Sequence, residues 1–260
     1  MAKFLDYGKD HYATVTFFGT KDRVVAVPWM SNWQYANITP IKQYRGANAL
    51  PRELSLFEKD GEYYLAANAA REVKALRKET KVLGNITAST EKDKKALFAN
   101  NDGAFEVEFD ITPGKSGQAG IELFNDKGEK TKIYFDQNLG KLVMDRTESG
   151  LVKFGEKAVP HDIEKAHDVR MGGKKMRALN SINYVNDFAL ATWAPLNLCN
   201  GKTYHVDVYV DKCSVEIFVD GGRIAMTNLV FPTAPYNNVG FYATKGKAKF
   251  NNVKAYKLGL

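Results

Sequence analysis

Apolar and polar residues alternate along most of this 260-residue chain, and such alternation predicts β-strands. Residues 104–111, reading AFEVEFDI, place apolar side chains on one face and mostly acidic ones on the other. Other short strands are predicted at residues 12–18, 23–29, 54–57, 62–67, 119–124, 131–136, 141–145, 204–210, 214–219, 224–229, 238–243 and 248–256. The sequence therefore predicts an all-β protein.

Residues 68–81, reading NAAREVKALRKETK, break the strand pattern. Ala, Glu, Lys, Arg and Leu dominate this stretch, and Ala69, Val73 and Leu76 fall on one face of a helix. We expect a short helix or helical linker here, with a domain boundary near residues 80–86.

The strands before and after this boundary predict two different architectures. Residues 1–80 read as strand–turn–strand units, which suit propeller blades. The hairpin turn at Lys59-Asp60-Gly61 is typical of them, because an Asp-Gly pair supplies the positive φ that the turn needs. Residues 84–260 hold eight or nine short strands with turns, which favour a β-sandwich. Within them, residues 150–201 lack clear periodicity and are interpreted as a long excursion with at most one isolated strand.

Composition and charge exclude several classes of partner. The net charge is +7, but the basic residues are scattered, and the tightest clusters at 92–95 and 174–177 are not interleaved with aromatic residues. A solvated lysine-rich surface is expected, and no nucleic-acid partner. No apolar run approaches 18 residues, so neither a membrane-spanning helix nor a membrane partner is expected. The N-terminal stretch has no apolar core typical of a signal peptide, and the localisation stays open.

Cysteine and histidine spacing predicts no metal site and no cofactor. Cys199 and Cys213 form no CxxC motif, and either a disulfide or two free thiols is compatible with their spacing. The four histidines lie far apart in the sequence, whereas metal sites need several ligands at close spacing. They are His11, His161, His167 and His205.

Two stretches near the N-terminus carry candidate chemistry. In DYGKDHYA, Gly8 permits a tight turn that can project Asp6 and Asp10 to one rim, where carboxylates accept hydrogen bonds from vicinal sugar hydroxyls. The alternative is a strand-entry turn in which aspartate binds backbone N–H groups. In WMSNWQYAN, Trp29 and Trp33 are suited either to stacking on a sugar or to core packing. Arg52 and Glu53 are interpreted as an internal ion pair.

Six motifs, in order along the chain, resemble glycoside hydrolase family 32, the invertases, inulinases, levanases and related β-fructosidases. DYGKDHYA, WMSNWQYAN and RGANALPREL are similar to its last propeller blades, and DRTESG, KCSVEIF and VFP to its C-terminal sandwich. The resemblance implies the last blades of a five-bladed β-propeller followed by a β-sandwich. The stretch at 151–198 departs from it by its length.

The resemblance also implies what the chain lacks. The family's catalytic carboxylates lie in Trp-x-Asn-Asp-Pro-Asn-Gly, Arg-Asp-Pro and Glu-Cys motifs, and none of these occurs here, so no catalytic residue is assigned. By motif position, Asp6 and Lys9 match residues that line the substrate pocket, and Asp10 and Trp33 lie at its rim. These four would bind a fructose-containing saccharide.

We therefore expect the C-terminal portion of a β-fructosidase, inactive alone. It would associate through open propeller edges with itself or with an N-terminal fragment. The alternative is a non-catalytic carbohydrate-binding or interaction module formed by residues 84–260.

Overall fold

A computed structural model describes residues 3–98, 102–154, 168–171, 174–177, 188–199 and 201–259. It is an all-β structure, as expected, apart from short 3₁₀ helices, among them Arg71–Leu76 and Leu196–Leu198. The strands are β1 Tyr12–Thr16, β2 Val24–Met30, β3 Ala47–Asn48, β4 Arg52–Lys59, β5 Glu62–Ala69, β6 Arg77–Ala88, β7 Asp93–Ala96, β8 Phe105–Thr112, β9 Gln118–Phe124, β10 Lys130–Asp136, β11 Lys141–Glu148, β12 Asp168–Met171, β13 Lys174–Arg177, β14 Ala191–Pro195, β15 Tyr204–Asp211, β16 Ser214–Val219, β17 Ile224–Leu229, β18 Asn238–Ala243 and β19 Ala248–Leu258.

The first sheet is antiparallel, with strand order β1-β2-β4-β5 and β3 paired to β2. Asp60 and Gly61 close the β4–β5 hairpin with φ angles of 54° and 80°, which confirms the predicted turn. Strand β5 approaches the C-terminal part of the chain, because Ala67 N–H donates to the Gly222 carbonyl at 2.9 Å. Strand β1 forms the opposite edge.

The helix predicted at 68–81 is wrong for most of its length. Strand β5 continues to Ala69, a 3₁₀ helix covers only Arg71–Leu76, and strand β6 begins at Arg77. Strand β6 pairs along its length with β19, and these tertiary hydrogen bonds override the helical propensity of the segment. Residues 80–86, where a domain boundary was expected, lie within β6. The division of the chain into residues 1–80 and 84–260 stays a prediction.

Two six-stranded antiparallel sheets follow, and their buried side chains form one hydrophobic core. One has the strand order β14-β11-β10-β9-β18-β7, and we call it the second sheet; the other, the third sheet, has the order β17-β16-β15-β8-β19-β6. Phe109 on the third sheet and Phe241 on the second meet edge to face with ring centroids 6.5 Å apart. Both are buried, and the alternation of residues 104–111 had predicted this for Phe109.

A smaller aromatic cluster connects the first sheet to the C-terminal part of the chain. Tyr35 packs edge to face on Phe188 at 5.2 Å, and Phe188 stacks on Phe231 at 5.1 Å. Met30 and Leu229 complete the buried group. Apolar burial of this kind stabilises the junction by about 25 cal/mol per Å² removed from water.

The remaining predictions have mixed outcomes. Cys199 and Cys213 are free thiols. The stretch interpreted as an excursion contains the strands β12, β13 and β14, so it holds more than the one isolated strand that was expected. Half of the stretch, with His161 and His167, lies outside the described residues. Among the described residues, no helix is long and apolar enough to cross a membrane.

Candidate functional site

The loop at residues 6–10 lies against strand β17. Asp6 Oδ1 accepts hydrogen bonds from the backbone N–H of Gly8 at 2.7 Å and of Thr227 at 2.9 Å. Asp6 Oδ2 accepts one from the Thr227 hydroxyl at 2.8 Å. A Cβ on residue 8 would lie 2.0 Å from the Thr227 carbonyl oxygen, so only glycine permits this close approach.

Arg52 is a buried arginine that binds two carboxylates from opposite ends of the chain. Its Nη1 donates to Asp6 Oδ2 at 2.8 Å, and its Nη2 donates to Glu216 Oε2 at 3.0 Å. The side chains of Arg52, Asp6 and Glu216 are 1%, 1% and 5% exposed. Glu216 Oε1 also accepts a hydrogen bond from Leu50 N–H at 2.9 Å. Strand β16 is thereby tied to the first sheet.

The two carboxylates that share Arg52 differ in their proton affinity. Burial would raise the pKa of Asp6, but Arg52, His11 and the hydrogen bonds from Gly8 and Thr227 outweigh it and hold the pKa below its usual value. Burial raises the pKa of Glu216, and Arg52 only partly opposes this. Asp6 is therefore the firmly ionised partner of the guanidinium.

Arg146 forms a second buried ion pair with Asp10. Its Nη1 donates to Asp10 Oδ2 at 2.6 Å and to the Leu229 carbonyl at 2.9 Å, and its Nε donates to the Phe188 carbonyl at 2.8 Å. The Tyr35 hydroxyl donates to Asp10 Oδ1 and accepts from Arg146 Nη2 at 3.1 Å. Burial would lower the pKa of Arg146, but Asp10 and Tyr35 raise it instead.

The two arginines and their partners form one buried region, which we call the junction network. It joins the loop at 6–10 and the first sheet to strands β11, β16 and β17. Charges in a buried region of this kind must be paired, because desolvation of an unpaired charge is costly. Five of the quoted motifs contribute a member: Asp6 and Asp10 from DYGKDHYA, Tyr35 from WMSNWQYAN, Arg52 from RGANALPREL, Arg146 from DRTESG and Glu216 from KCSVEIF.

The expectation of an exposed rim is wrong for Asp6 and Asp10. Their side chains are 1% and 0% exposed, because each carboxylate forms an ion pair with a buried arginine. Asp6 instead fits the alternative of a strand-entry turn, since it accepts hydrogen bonds from backbone N–H groups. A substrate-binding role for either residue stays a prediction.

Lys9 and Trp33 lie closer to solvent. The backbone of Lys9 forms two hydrogen bonds. Its N–H donates to Asn228 Oδ1 at 3.0 Å, and its carbonyl accepts from Asn32 Nδ2 at 2.9 Å. The structure thereby brings the loop at 6–10 beside the segment that contains Trp33. Lys9 is half-buried, and Trp33 is 66% exposed. Their role as sugar ligands also stays a prediction.

The two tryptophans lie in contact with each other at the surface. Trp29 and Trp33 have ring centroids 5.1 Å apart, and Tyr12 packs on Trp29 at 6.2 Å. Gly46 adopts a φ of 76°, and a Cβ there would lie 2.5 Å from Trp29 Nε1. The exposed rings of Tyr12 and Trp33 provide the apolar faces on which a sugar can stack.

The proposed ion pair between Arg52 and Glu53 is wrong. Adjacent strand residues point to opposite faces, so Glu53 lies on the other side of the sheet from Arg52. There Glu53 pairs with Arg23 and with Arg71, whose Nε lies 2.7 Å from Glu53 Oε1.

Among the described residues, one cluster of three carboxylate side chains, on strands β8 and β15, has the spacing of a metal site. Glu106, Glu108 and Asp207 offer oxygen atoms within 4.8 Å of one another. Arg77 already lies there, with Nε 2.7 Å from Glu106 Oε2 and Nη2 2.7 Å from Glu108 Oε2. The guanidinium supplies the positive charge that these carboxylates need.

Comparison with known proteins assigns the family. The family model "Glycosyl hydrolases family 32 C terminal" matches residues 72–257. The chain belongs to glycosyl hydrolase family 32. The family's N-terminal domain model matches residues 1–67 of the same chain. The two matches meet where the 3₁₀ helix Arg71–Leu76 links the first sheet to strand β6.

Similar family 32 proteins are considerably longer than this chain. A levanase from Bacillus subtilis (strain 168) is 28% identical over 258 residues, which cover 97% of this chain and 34% of the levanase. A levanbiose-producing levanase from the same organism is 27% identical, with 44% of its length covered. The crystal structure of exo-inulinase from Aspergillus awamori has a TM-score of 0.75 at 21% identity, covering all of this chain and 45% of the enzyme. The chain thus spans between a third and a half of these relatives.

The motifs that contribute to the junction network are visible in the sequence, but the roles of Tyr35, Arg146 and Glu216 are not. A signal was available for Glu216. It lies between the apolar residues Val215 and Ile217, and a carboxylate buried in such a strand requires a partner. The identity of that partner, 164 residues away, is not visible in the strand pattern.

Proposed function

We propose that this chain is the C-terminal portion of a β-fructosidase. In this proposal the first sheet is the last part of a five-bladed β-propeller, and the second and third sheets are a β-sandwich. The junction network carries the proposal. Its members come from the motifs that resemble family 32, and it ties the region of the N-terminal family match to that of the C-terminal match. The substrate would be a fructose-containing saccharide, in line with the named activities of the levanase and exo-inulinase relatives.

The chain would not hydrolyse this substrate alone. A retaining glycosidase needs two carboxyl groups about 5 Å apart, one of them free to act as an acid. The family's three catalytic motifs do not occur in the sequence. Asp6 and Asp10 are each bound to a buried arginine. In a complete site, Lys9 and Trp33 would orient sugar hydroxyls, and Asp6 and Asp10 would hold the loop that carries Lys9.

Hydrolysis assays of the purified chain test this proposal. With levan, inulin and sucrose, we expect no fructose release above the blank, because the family's catalytic motifs do not occur in the sequence and Asp6 and Asp10 are each paired with a buried arginine. The complete B. subtilis levanase is the positive control. Fructose release by the chain that is abolished by Asp6→Asn would contradict the proposal, since it would make Asp6 part of an active site.

The first sheet has an exposed apolar strip that would contact the missing part of a propeller. Val24 pairs with Leu54, and Leu56 pairs with Leu65, on one face of the sheet. Val24, Leu56 and Leu65 are 47%, 68% and 47% exposed, and Tyr63 beside them is 71% exposed. An apolar strip next to an unpaired edge strand favours association with another chain. The partner would be an N-terminal fragment or a second copy.

We predict concentration-dependent association of the chain in light scattering. The measured mass should rise above 29.1 kDa with concentration, and the double variant Leu56→Lys/Leu65→Lys should stay monomeric, because lysines in the strip must keep their charges in water. Leu139→Lys is the matched control, since Leu139 is 64% exposed on a turn far from the strip in sequence. A monomer at every concentration would count against open propeller edges.

The second candidate is a non-catalytic carbohydrate-binding or interaction module. It is favoured by a cleft on the outer face of the second sheet, described below. The two candidates differ in whether function requires another chain. A binding module would bind its saccharide without an N-terminal partner, whereas hydrolysis would require that partner.

A further inference from the structure

A row of aromatic side chains crosses the outer face of the second sheet. Strand pairing places Trp193 opposite Val143, Val143 opposite Tyr134, Tyr134 opposite Gly120, and Gly120 opposite Tyr242. Directly paired residues share a face of the sheet. An aromatic residue therefore lies on every second strand, about 10 Å from the next, because neighbouring strands are about 4.8 Å apart. Rings at this spacing can contact one polysaccharide chain at separate points.

Two glycines lie on this face of the sheet, paired with residues that line a cleft. Gly120 lies between the two tyrosines, and a Cβ there would lie 2.5 Å from Tyr134 Cα, so glycine lets strand β10 approach closely. At Gly240 a Cβ would lie 2.6 Å from Lys92 Cδ, so glycine makes room for the lysine that borders the cleft. The cleft has a volume of about 500 Å³ and is lined by both tyrosines.

The charged residues around the cleft are balanced. Lys92 Nζ lies 2.5 Å from Glu122 Oε1, and Lys130 Nζ lies 3.0 Å from Glu148 Oε1. Lys132 pairs in register with Asp145. Lys92, Lys130 and Lys132 line the cleft with Glu122 and Asp145, and Glu148 beside it pairs with both Lys130 and Lys132. The lysine charges are thus compensated, and little excess charge is left to attract an anion. It offers many hydrogen-bond donors and acceptors instead.

The two tyrosines also have free hydrogen-bonding groups. Burial raises the pKa of Tyr134 and of Tyr242, and nearby carboxylates raise it further, so both hydroxyls stay protonated. Within the described part of the chain, neither hydroxyl has a hydrogen-bond partner. Trp193 is 50% exposed, with Lys141 Nζ 3.8 Å from its ring centroid.

We propose that this cleft binds an uncharged polysaccharide, with Tyr134 and Tyr242 stacking on sugar units and the paired lysines and carboxylates bonding to hydroxyls. The cleft would hold a polymer independently of any catalytic site. Only the choice of fructans as the first probes rests on the proposed function. The binding itself does not require the chain to belong to an active enzyme.

Affinity electrophoresis of the full chain in gels that contain levan, inulin, dextran or heparin tests the proposal. We expect retardation by levan or inulin. The double variant Tyr134→Ala/Tyr242→Ala should weaken the apparent affinity about tenfold, or about 1.4 kcal/mol, since aromatic side chains are enriched among the contacts whose truncation costs the most affinity. Tyr134→Phe/Tyr242→Phe keeps the rings and should retain most of the affinity. Phe18→Ala, at an exposed aromatic residue outside the second sheet, is the matched control and should bind as the parent does.

Three results would overturn the proposal: no retardation by any uncharged polymer, retardation by heparin alone, or equal retardation of the parent and the double alanine variant. Thermal unfolding of each variant shows that the compared proteins are folded. The outcome is separate from the hydrolysis assay, because a chain without hydrolase activity can still bind levan, and a chain with activity can fail to bind through these tyrosines.

Discussion

Replacing Arg146 with alanine is expected to lower the free energy of unfolding by about 3–5 kcal/mol. The substitution leaves Asp10 buried without its counter-ion, and it removes the donors to the Leu229 and Phe188 carbonyls. Unsatisfied buried acceptors and an unpaired buried carboxylate are among the costliest changes in a protein interior. Urea unfolding monitored by tryptophan fluorescence gives the value.

The matched control for Arg146→Ala is Arg71→Ala. Arg71 also pairs with a carboxylate, Glu53, but its side chain is 61% exposed. Exposed ion pairs contribute about 0–1 kcal/mol, so this variant should unfold close to the parent. If both variants lost the same small amount of unfolding free energy, this would contradict the buried ion pair between Arg146 and Asp10.

Replacing Arg52 with alanine is expected to cost about 3–5 kcal/mol at neutral pH, and the cost should shrink as the pH falls. Asp6 has a lowered pKa in the parent, so its contribution is present above the unfolded pKa and is lost as the pH falls through the folded value. Without Arg52, burial raises the pKa of both Asp6 and Glu216. In mildly acidic solution these two carboxylates then become protonated, which removes the cost of unpaired buried charges in the variant. The parent gains no comparable stability from Asp6, because the pKa of Asp6 is lowered there.

Urea unfolding of the parent and of Arg52→Ala at a series of pH values between 7 and about 4 tests this second prediction. The control is Arg45→Ala, because Arg45 is exposed and donates to backbone carbonyls rather than to a carboxylate. Its difference from the parent should be small and independent of pH. A constant difference between Arg52→Ala and the parent would show that Arg52 does not hold the pKa of Asp6 below its usual value.

Strands could be predicted from the sequence where the strand is buried on one or both faces and where a tight turn lies at each of its ends. Residues 214–219 and 238–243 are strands with the limits that the pattern predicts. In these strands the local pattern and the tertiary environment favour the same structure. The segment 68–81 is different, because its residues favour a helix locally. Strand β6 has few buried residues, so its sequence carries little strand pattern and its conformation comes from pairing with β19.

The loop at 6–10 was recognisable from sequence, but the environment of its carboxylates was not. Two aspartates around a glycine suit a sugar-binding rim as well as a buried junction. The distinction depends on Arg146, 136 residues from Asp10, and on Thr227, 221 residues from Asp6. Contacts at such separations leave no periodic signal in a single sequence. The cleft on the second sheet was missed for the same reason, since strand pairing alone brings Tyr134 and Tyr242 to either side of Gly120.

The central claim is that this chain supplies the C-terminal part of a β-fructosidase. It is tested most directly by mixing the purified chain with a separately produced N-terminal part of the B. subtilis levanase that carries the three catalytic motifs. Fructose release from levan is measured for each part alone and for the mixture. We predict release only from the mixture, and less of it when the chain carries Leu56→Lys/Leu65→Lys. Fructose release by the chain alone would contradict the claim.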